Sequence, residues 1–351
     1  MKVYCGISYH GFGHIAQLAP LINRLHQTNR ISDLTIQCAA PTTLLQSWFR
    51  PGFTHIEHPT DLGIAMFNAV KVDVETTYSD YLAQHNNRAE DITNLEAYIQ
   101  QSNADLVITN NSHLLSRAAH NLGVPCVHVG SLNWADHFME YCNGRPLAED
   151  IFQTLCDDYN CAQTFFRLPP HMPMDNFNNV VNVGPICRVG TRINLKQYFG
   201  HSEDYHYILV SMGGMAYPID FDHWNTPANF FFVYAGSGCG PNQIGVHINQ
   251  TQLSHQDLVA SCDVIITKPG NGTYAEAACV GTPILYLPRE DWPEESHLNH
   301  WQKQRGFCQS ISEQQLLKGE LEKAIQQAMT SQPKFLEKPT GIEDVIRYIA
   351  P

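Results

Sequence analysis

Residues 267–291, TKPGNGTYAEAACVGTPILYLPRED, place a glycine-rich turn between two apolar runs. The preceding run, CDVIIT at 262–267, has the composition of a buried strand, and TYAEAACVG at 273–281 has that of a short helix. Near-continuous apolar strands that alternate with helices are typical of a parallel sheet covered on both faces. This stretch therefore predicts a strand–turn–helix–strand unit.

The start of this helix is a candidate anion site. Gly270 and Gly272 would let the backbone approach a ligand closely, and the first turn, at Asn271 and Thr273, offers unpaired N–H groups at the positive end of the helix dipole. Such a start attracts phosphate. Glu276, one turn further on, could accept hydrogen bonds from both hydroxyls of a ribose, although complementarity to the helix dipole alone would also place an acid there.

The same alternation extends over most of the chain. KVYCGIS, IAQLAPLINRLHQ and LTIQCAA form a strand–helix–strand start, the pattern lapses after Pro169, and a fresh strand opens with YHYILVSMGG at 205–214. We expect two doubly wound, Rossmann-like parallel-sheet domains, at residues 1–195 and 204–335, with ligand bound in a crevice between them at the carboxyl ends of the strands. A short helix within 336–351 could cross back to the first domain.

Two further loops follow apolar strands. In SMGGMAYP, backbone N–H groups at Gly213 and Gly214 could meet a diphosphate, or the loop is a simple tight turn. In YHGFGHIAQLAP, Gly11 and Gly13 make a turn before a helix, and His14 could take a proton from a hydroxyl or serve as a polar cap. The glycines interrupt the spacing that His10 and His14 would need for a metal site, so none is predicted.

Charge and composition exclude several classes of partner. The chain has 351 residues, with 21 basic and 34 acidic side chains, a net charge of −13 and no basic block, which argues against nucleic acid and anionic membrane surfaces as main partners.

Eleven scattered cysteines favour a reduced compartment, so we expect a cytoplasmic protein. No apolar run is long enough to span a bilayer, peripheral membrane contact stays open, and the oligomeric state is not indicated.

Several motifs together resemble a known family. HGFGH follows the first strand, TDLGIAMFNAVKVDVE and GSLNWADHF lie in the first half, and KPGNG with its Glu and GTP lies in the second. This set resembles the GT-B glycosyltransferases, particularly the group of the peptidoglycan-precursor N-acetylglucosaminyltransferase and the glycosyltransferase-like half of arabinokinase-type fused proteins. The resemblance implies the GT-B architecture, in which two Rossmann-like domains face a cleft.

The resemblance also implies roles for individual residues. On the donor side, residues 270–273 would hold a nucleotide diphosphate, Glu276 the ribose, and the loop at 289–296 the sugar. The remaining implied residues are Gly213 and Gly214 near the diphosphate; Arg289, Asp291, Glu294 and Glu295 for the sugar; and Gly11, Gly13, His14, Asp61, Asn110, Asn133, Trp134 and Asp136 on the acceptor side. His14 would be the catalytic base of an inverting transfer that uses neither a metal nor a cofactor other than the donor.

Several positions depart from the family pattern. Asn110 stands where relatives carry an acid beside the histidine, so either catalysis is weak or Asp61 or Asp136 supplies that charge. Asn271 replaces a tyrosine, and Glu295 and Ser296 fall where the peptidoglycan enzyme has two glutamines. The sequence thus favours a glycosyltransferase that moves a sugar, by default from a UDP-sugar, to a hydroxyl acceptor. A nucleotide-sugar 2-epimerase and a non-catalytic sugar-nucleotide-binding protein are the alternatives.

Overall fold

The structure, a computed structural model, describes residues 1–67, 71–213, 217, 219–236, 244–289 and 291–349. Its contacts divide the chain into two compact units. The first unit comprises Met1–Phe67, Val72–Ile186 and the chain end from Thr340, and the second is built on Cys187–Pro339. Gly214, one of the predicted diphosphate contacts, lies outside the described residues.

The first unit is built on a parallel sheet. In chain order its elements are β1 (Lys2–Ile7), α1 (Phe12–Gln27), β2 (Asp33–Gln37), α2 (Thr42–Trp48), β3 (Thr54–Ile56), α3 (Val74–Ser102), β4 (Leu106–Asn110), α4 (His113–Asn121), β5 (Cys126–Gly130), α5 (Trp134–Cys142), α6 (Ala148–Tyr159), β6 (Thr164–Arg167) and β7 (Val180–Asn182). Within the described residues the strand order is β3-β2-β1-β4-β5-β6-β7, and every pairing is parallel.

Burial explains why these segments form strands. β4 and β5 are buried along their whole length, as expected for central strands of a sheet that has helices on both faces. The order reverses between β1 and β4, because β2 and β3 lie on one side of β1 and the later strands lie on the other. Loops at the carboxyl ends of strands diverge at such a reversal, which is where open α/β sheets bind ligands.

The second unit repeats this plan. Its elements are α7 (Leu195–Phe199), β8 (His206–Ser211), a 3₁₀ turn (Phe221–His223), β9 (Phe230–Ala235), β10 (Gly245–His247), a second 3₁₀ turn (Ile248–Gln250), α8 (His255–Ser261), β11 (Val264–Thr267), α9 (Asn271–Val280), β12 (Ile284–Tyr286), α10 (Glu295–Arg305), β13 (Cys308–Ser310), α11 (Glu313–Lys318) and α12 (Glu322–Met329). Over the part of this unit that is described, the order is β10-β9-β8-β11-β12-β13, again all parallel, with its reversal between β8 and β11.

The prediction of two doubly wound parallel sheets is confirmed. The polar segment at residues 313–330 forms two short helices, α11 and α12, because Gly319 adopts a left-handed φ of 68° that ends α11. Between β8 and β9, the described residues form a 3₁₀ turn, Phe221–His223.

The division between the units falls at Cys187, before the stretch in which the sequence analysis placed it. Residues 187–194 belong to the second unit because they pack on α8: the backbone N–H of Thr191 donates to Asp257 at 2.7 Å, and that of Ile193 donates to Ser261 at 2.8 Å. The final helix, α13 (Gly341–Ile349), belongs to the first unit and packs on α1.

Two further properties bear on the expectations from composition. Each cysteine among the described residues is a free thiol. No helix of the described chain has both the length and the apolar character needed to cross a membrane.

Candidate functional site

The predicted acceptor-side residues lie at the strand-order reversal of the first sheet. The loop after β1 ends at Gly11, whose φ of 111° is in the region that favours glycine, and α1 begins at the next residue. His14 therefore lies in the first turn of α1, at the carboxyl end of β1. Its side chain is 7% exposed, whereas an ideal Cβ built on Gly13 meets no atom within 4 Å, so the backbone beside His14 is open.

His14 is hydrogen-bonded to the residue that replaces the expected acid. Its Nδ1 lies 2.6 Å from Oδ1 of Asn110, the last residue of β4. The pKa of His14 is lowered to about 4, mainly by burial. The hydrogen bond to Asn110 raises this pKa, and the nearby His10 lowers it further, but burial has the largest effect. The imidazole is therefore neutral at pH 7, and a neutral imidazole can accept a proton.

The amide of Asn110 is held on its other side. Its Nδ2 donates to Oε1 of Gln17 and to the backbone carbonyl of Val129, both at 2.7 Å. Gln17 in turn donates from Nε2 to Oγ of Ser131 at 3.0 Å. These side chains are all buried, so water does not compete for the hydrogen bonds.

Asp61 lies in the loop after β3 and is oriented by two donors. Oγ of Ser8 donates to Oδ1 and Nε1 of Trp134 donates to Oδ2, each at 2.9 Å. Burial raises the pKa of Asp61 to about 6, because the hydrogen bonds from Trp134 and Ser8 only partly offset the loss of water. The Trp134 ring also packs beside His14, with ring centroids 5.6 Å apart.

Asn133 and Asp136 have local structural contacts. Asn133 caps the start of α5 by accepting a hydrogen bond from the backbone N–H of Asp136 at 2.8 Å, and its Nδ2 donates to the Asp136 carboxylate at 2.7 Å. Their observed contacts stabilise the helix that carries Trp134. Neither Asp61 nor Asp136 is the partner of His14 Nδ1, which is Asn110.

The predicted donor-side residues lie at the reversal of the second sheet. α9 begins immediately after Gly270, and no side chain caps it among the residues that the structure describes. An ideal Cβ on Gly272 meets no atom within 4 Å, and one on Gly270 meets only the backbone oxygen of Lys268 at 3.9 Å. The start of the helix that carries Thr273 is therefore sterically open.

Lys268 adds a positive charge that the sequence analysis did not single out. It follows β11 directly, and a Cβ on Gly213, just past β8, would lie 3.2 Å from its Cε and 3.9 Å from its Nζ. Gly213 has a φ of 76°. Burial, with a smaller effect of the nearby Arg289, lowers the pKa of Lys268 to about 8, so the amine is predominantly protonated at pH 7.

Glu276 projects from α9 and is oriented from α8. Nε2 of Gln256 donates to Oε1 at 2.8 Å, and Nδ1 of His255 lies 3.4 Å from Oε2. Nε2 of His255 is 3.1 Å from Oγ of Ser211, the last residue of β8. The carboxylate is thus fixed beside the strand-order reversal, with its side chain 11% exposed.

The loop after β12 forms a compact charged cluster. The Arg289 guanidinium stacks on Trp292 at 3.6 Å from the ring centroid, and the backbone N–H of Arg289 donates to Oε2 of Glu295 at 2.5 Å. Nε1 of Trp292 donates to Glu294 at 3.0 Å. Burial raises the pKa of both glutamates. Asp291 has a left-handed φ of 65°.

The structure brings some of the predicted residues together, since His14 contacts Asn110 and Asp61 contacts Trp134, and it adds residues that the sequence analysis missed. Lys268 could have been found from its place in KPGNG, next to the predicted helix start. Gln17, His255 and Gln256 carry no motif, and only the tertiary contacts identify them. No group of three or more His, Cys, Asp or Glu side chains in the described chain is arranged to hold a metal ion.

Two curated relatives match the sequence, whereas no family model matches it. The L-arabinokinase of Arabidopsis thaliana is 22% identical over 338 residues, which cover 94% of this chain and 32% of that protein. The UDP-N-acetylglucosamine–N-acetylmuramyl-(pentapeptide) pyrophosphoryl-undecaprenol N-acetylglucosamine transferase of a Sulfurihydrogenibium species is 28% identical over 101 residues, 28% of this chain and 29% of that protein. The matched segments span about a third of the length of these relatives.

Solved structures share the fold over nearly the whole chain. The calicheamicin glycosyltransferase has a TM-score of 0.62 at 13% identity and covers 99% of this chain and 92% of its own. A Phytolacca americana protein complexed with UDP-2-fluoro-glucose and pterostilbene has a TM-score of 0.60 at 14% identity, and the match covers 93% of this chain and 90% of that chain. A Listeria monocytogenes protein described as a UDP-N-acetylglucosamine 2-epimerase has a TM-score of 0.54 at 13% identity, and the match covers 99% of this chain and 95% of that chain. The chain has the GT-B fold.

Proposed function

We propose that this protein is a glycosyltransferase that moves a sugar from a nucleotide diphosphate, by default a UDP-sugar, to a hydroxyl acceptor. The observation that carries the proposal is the sterically open start of α9, which no side chain of the described residues caps, with Lys268 beside it at the strand-order reversal of the second sheet. Backbone N–H groups and a half-buried ammonium would form a site complementary to a diphosphate. Glu276, held by Gln256, is positioned to accept hydrogen bonds from a ribose.

In the proposed reaction His14 is the base. Its Nε2 takes the proton of the acceptor hydroxyl, so that the O–H bond breaks as the oxygen forms a bond to the anomeric carbon. The bond from that carbon to the diphosphate oxygen breaks at the same time, with inversion. The leaving diphosphate gains negative charge, which the α9 start and Lys268 stabilise. Because these groups supply the positive charge, we expect turnover to be unchanged by EDTA.

Ligand binding tests the donor site. A ligand that binds only the native state at 100 times its Kd stabilises it by about 2.7 kcal/mol. We therefore expect a rise in melting temperature with one or more of UDP, dTDP, GDP and ADP or their sugars. Gly272→Asp, which adds a carboxylate at the open helix start, should abolish the rise.

Gly306→Asp is the matched control for this binding test. Gly306 lies in the same unit, at the end of α10, and a Cβ there has no neighbour closer than 3.9 Å. This variant should bind as the wild type does. If no nucleotide diphosphate shifts the melting temperature, or if Gly272→Asp binds normally, the assignment of the donor site is wrong.

A nucleotide-sugar 2-epimerase is the second candidate, because the Listeria protein described as such an enzyme shares the fold over 99% of this chain. Product analysis separates the two. A new glycoside supports transfer, an altered sugar on an intact nucleotide supports epimerisation, and saturable binding without either product supports a non-catalytic binding protein. For transfer, His14→Ala should lower turnover by roughly 10²–10⁴-fold and leave nucleotide binding intact.

A further inference from the structure

The side-chain amide of Asn110 makes three hydrogen bonds in a fully buried position. Its Oδ1 faces Nδ1 of His14 at 2.6 Å, and its Nδ2 faces Oε1 of Gln17 and the carbonyl oxygen of Val129 at 2.7 Å each. Both N–H bonds of the amide are therefore used, and its oxygen is left for the imidazole.

The contact with Val129 fixes which way the amide points. A backbone carbonyl only accepts, so the Asn110 atom that faces it must be the NH₂ group. The atom that faces His14 is then the amide oxygen, which also only accepts. Nδ1 of His14 must therefore carry a hydrogen. Among the described residues, no protein atom is hydrogen-bonded to the other ring nitrogen, Nε2.

We propose that Asn110 is a positioning residue, which fixes His14 in the Nδ1–H tautomer and leaves Nε2 as the nitrogen that accepts a proton. The use of Nε2 as a base rests on the proposed function, whereas the tautomer does not. An aspartate would fix the same tautomer by accepting from Nδ1, so Asn110 replaces the orienting role of a carboxylate without its charge.

The neutral amide suits the surroundings of this position. A carboxylate at residue 110 would face the Val129 carbonyl oxygen and, in its present orientation, Oε1 of Gln17, and both would repel it. With the amide, the donors point in one direction, from His14 to Asn110 to Gln17 to Ser131, and such a chain strengthens each hydrogen bond in it. Among the described residues, His10 is a titratable group that acts on the imidazole, and it lowers the pKa of His14, as burial does.

The tautomer can be observed directly by ¹⁵N NMR of histidine-labelled protein at pH 7, without any substrate. His14→Gln assigns the His14 signals by their disappearance. We expect a protonated Nδ1 and an unprotonated Nε2 in the wild type. His137 is an internal reference, since its Nδ1 faces the backbone oxygen of Asn133 at 3.0 Å and does not depend on Asn110. A protonated Nε2 with a bare Nδ1 at His14 would overturn the proposal.

Two variants then test whether Asn110 is the cause. In Asn110→Leu, the acceptor is lost and the proton should no longer be confined to Nδ1, while the His137 signals stay unchanged. In Asn110→Asp, the side chain still offers Nδ1 an acceptor oxygen, so the tautomer should persist. An unchanged tautomer in Asn110→Leu, or a bare Nδ1 in Asn110→Asp, would refute the role of Asn110.

The role of Asn110 can be tested even if a variant fails to fold or the proposed function is wrong. If neither variant folds, the wild-type spectrum alone decides the tautomer. If the tautomer is as stated but His14→Ala retains full turnover, His14 is not the base and the inference about Asn110 still stands.

Discussion

Replacing Asp61 by asparagine should remove a loss of stability that the first unit undergoes as the pH rises from about 4 to above 6. The carboxylate is part-buried and accepts hydrogen bonds from Ser8 and Trp134, but burial outweighs them and raises its pKa to about 6 from an unfolded value of 3.8. An asparagine can keep both contacts. Its oxygen would accept from the Trp134 indole, and its NH₂ would donate to the Ser8 hydroxyl, which is also an acceptor.

The magnitude and sign follow from proton linkage. Well below pH 3.8, Asp61 is protonated in both the folded and the unfolded chain and does not affect the pH dependence. As the pH rises from about 4 to above 6, the unfolded chain ionises first, so the free energy of unfolding of the wild type falls. A pKa difference of about two corresponds to about 3 kcal/mol, and partial exposure reduces this to about 2–3 kcal/mol. The free energy of unfolding of Asp61→Asn should not show this fall, because asparagine does not ionise.

The measurement is the difference in unfolding free energy between variant and wild type, followed from pH 4 to pH 8. Costs of the substitution that do not depend on pH cancel in this comparison. The protein is equilibrated in urea at each pH and then labelled by a brief hydrogen-exchange pulse at one fixed pH. Exchange in peptides that cover β1 and β4 gives the unfolded fraction of the first unit alone. We expect the variant to gain about 2–3 kcal/mol relative to the wild type over this range.

Asp73→Asn is the matched control with the opposite sign. Asp73 caps α3, and the hydrogen bond from the Thr76 backbone N–H lowers its pKa, so its stabilising effect is present at neutral pH and is lost on acidification. The difference between this variant and the wild type should therefore fall as the pH rises. If Asp61→Asn behaves like Asp73→Asn, or shows no pH dependence, burial does not dominate the ionisation of Asp61 and the reasoning fails.

Three further predictions concern both units. Lys268→Met, which removes the charge beside Gly213, should weaken binding of a nucleotide diphosphate by about 10–100-fold in calorimetry without lowering the melting temperature. Glu276→Gln should weaken UDP by about tenfold but leave inorganic pyrophosphate unaffected, because pyrophosphate has no ribose; equal losses for both would contradict the assigned role. Asp158→Ala should lower the unfolding free energy of the first unit by about 3–5 kcal/mol, because the buried carboxylate pairs with Arg88 and Arg117, and a loss below about 1 kcal/mol in urea unfolding would contradict this.

The sequence predicted the two sheets because the apolar runs that form buried strands can be recognised from a few consecutive residues. Apolar runs such as that of β4 and the glycine-bounded start of α9 are recognisable within ten residues, and the alternation of such runs with helices predicts parallel sheets. The boundary at Cys187 was not recognisable, since residues 187–194 have no secondary structure of their own and are held by contacts with α8.

The sequence predicted some residues of each candidate site but not the side chains that orient them. His14 and Glu276 stand out because glycine-rich turns precede them, whereas the side chains that orient them lie far along the chain or carry no motif. Asn110 is 96 residues from His14, and Gln256 is 20 residues from Glu276. Sequence spacing gives no information about a hydrogen bond that forms only when a helix packs against a distant strand, as for His14, or against another helix, as for Glu276.

The amino-acid sequence by itself thus determined two doubly wound sheets and the position of the turns at their carboxyl ends, because hydrophobic periodicity and glycine act over a few residues. The tertiary structure decided the protonation of the site: that Asn110 meets Nδ1 of His14, that burial keeps this imidazole neutral, and that Lys268 lies beside Gly213. Tautomers and pKa values depend on desolvation and on the direction of nearby dipoles, and these exist only once distant segments are packed together.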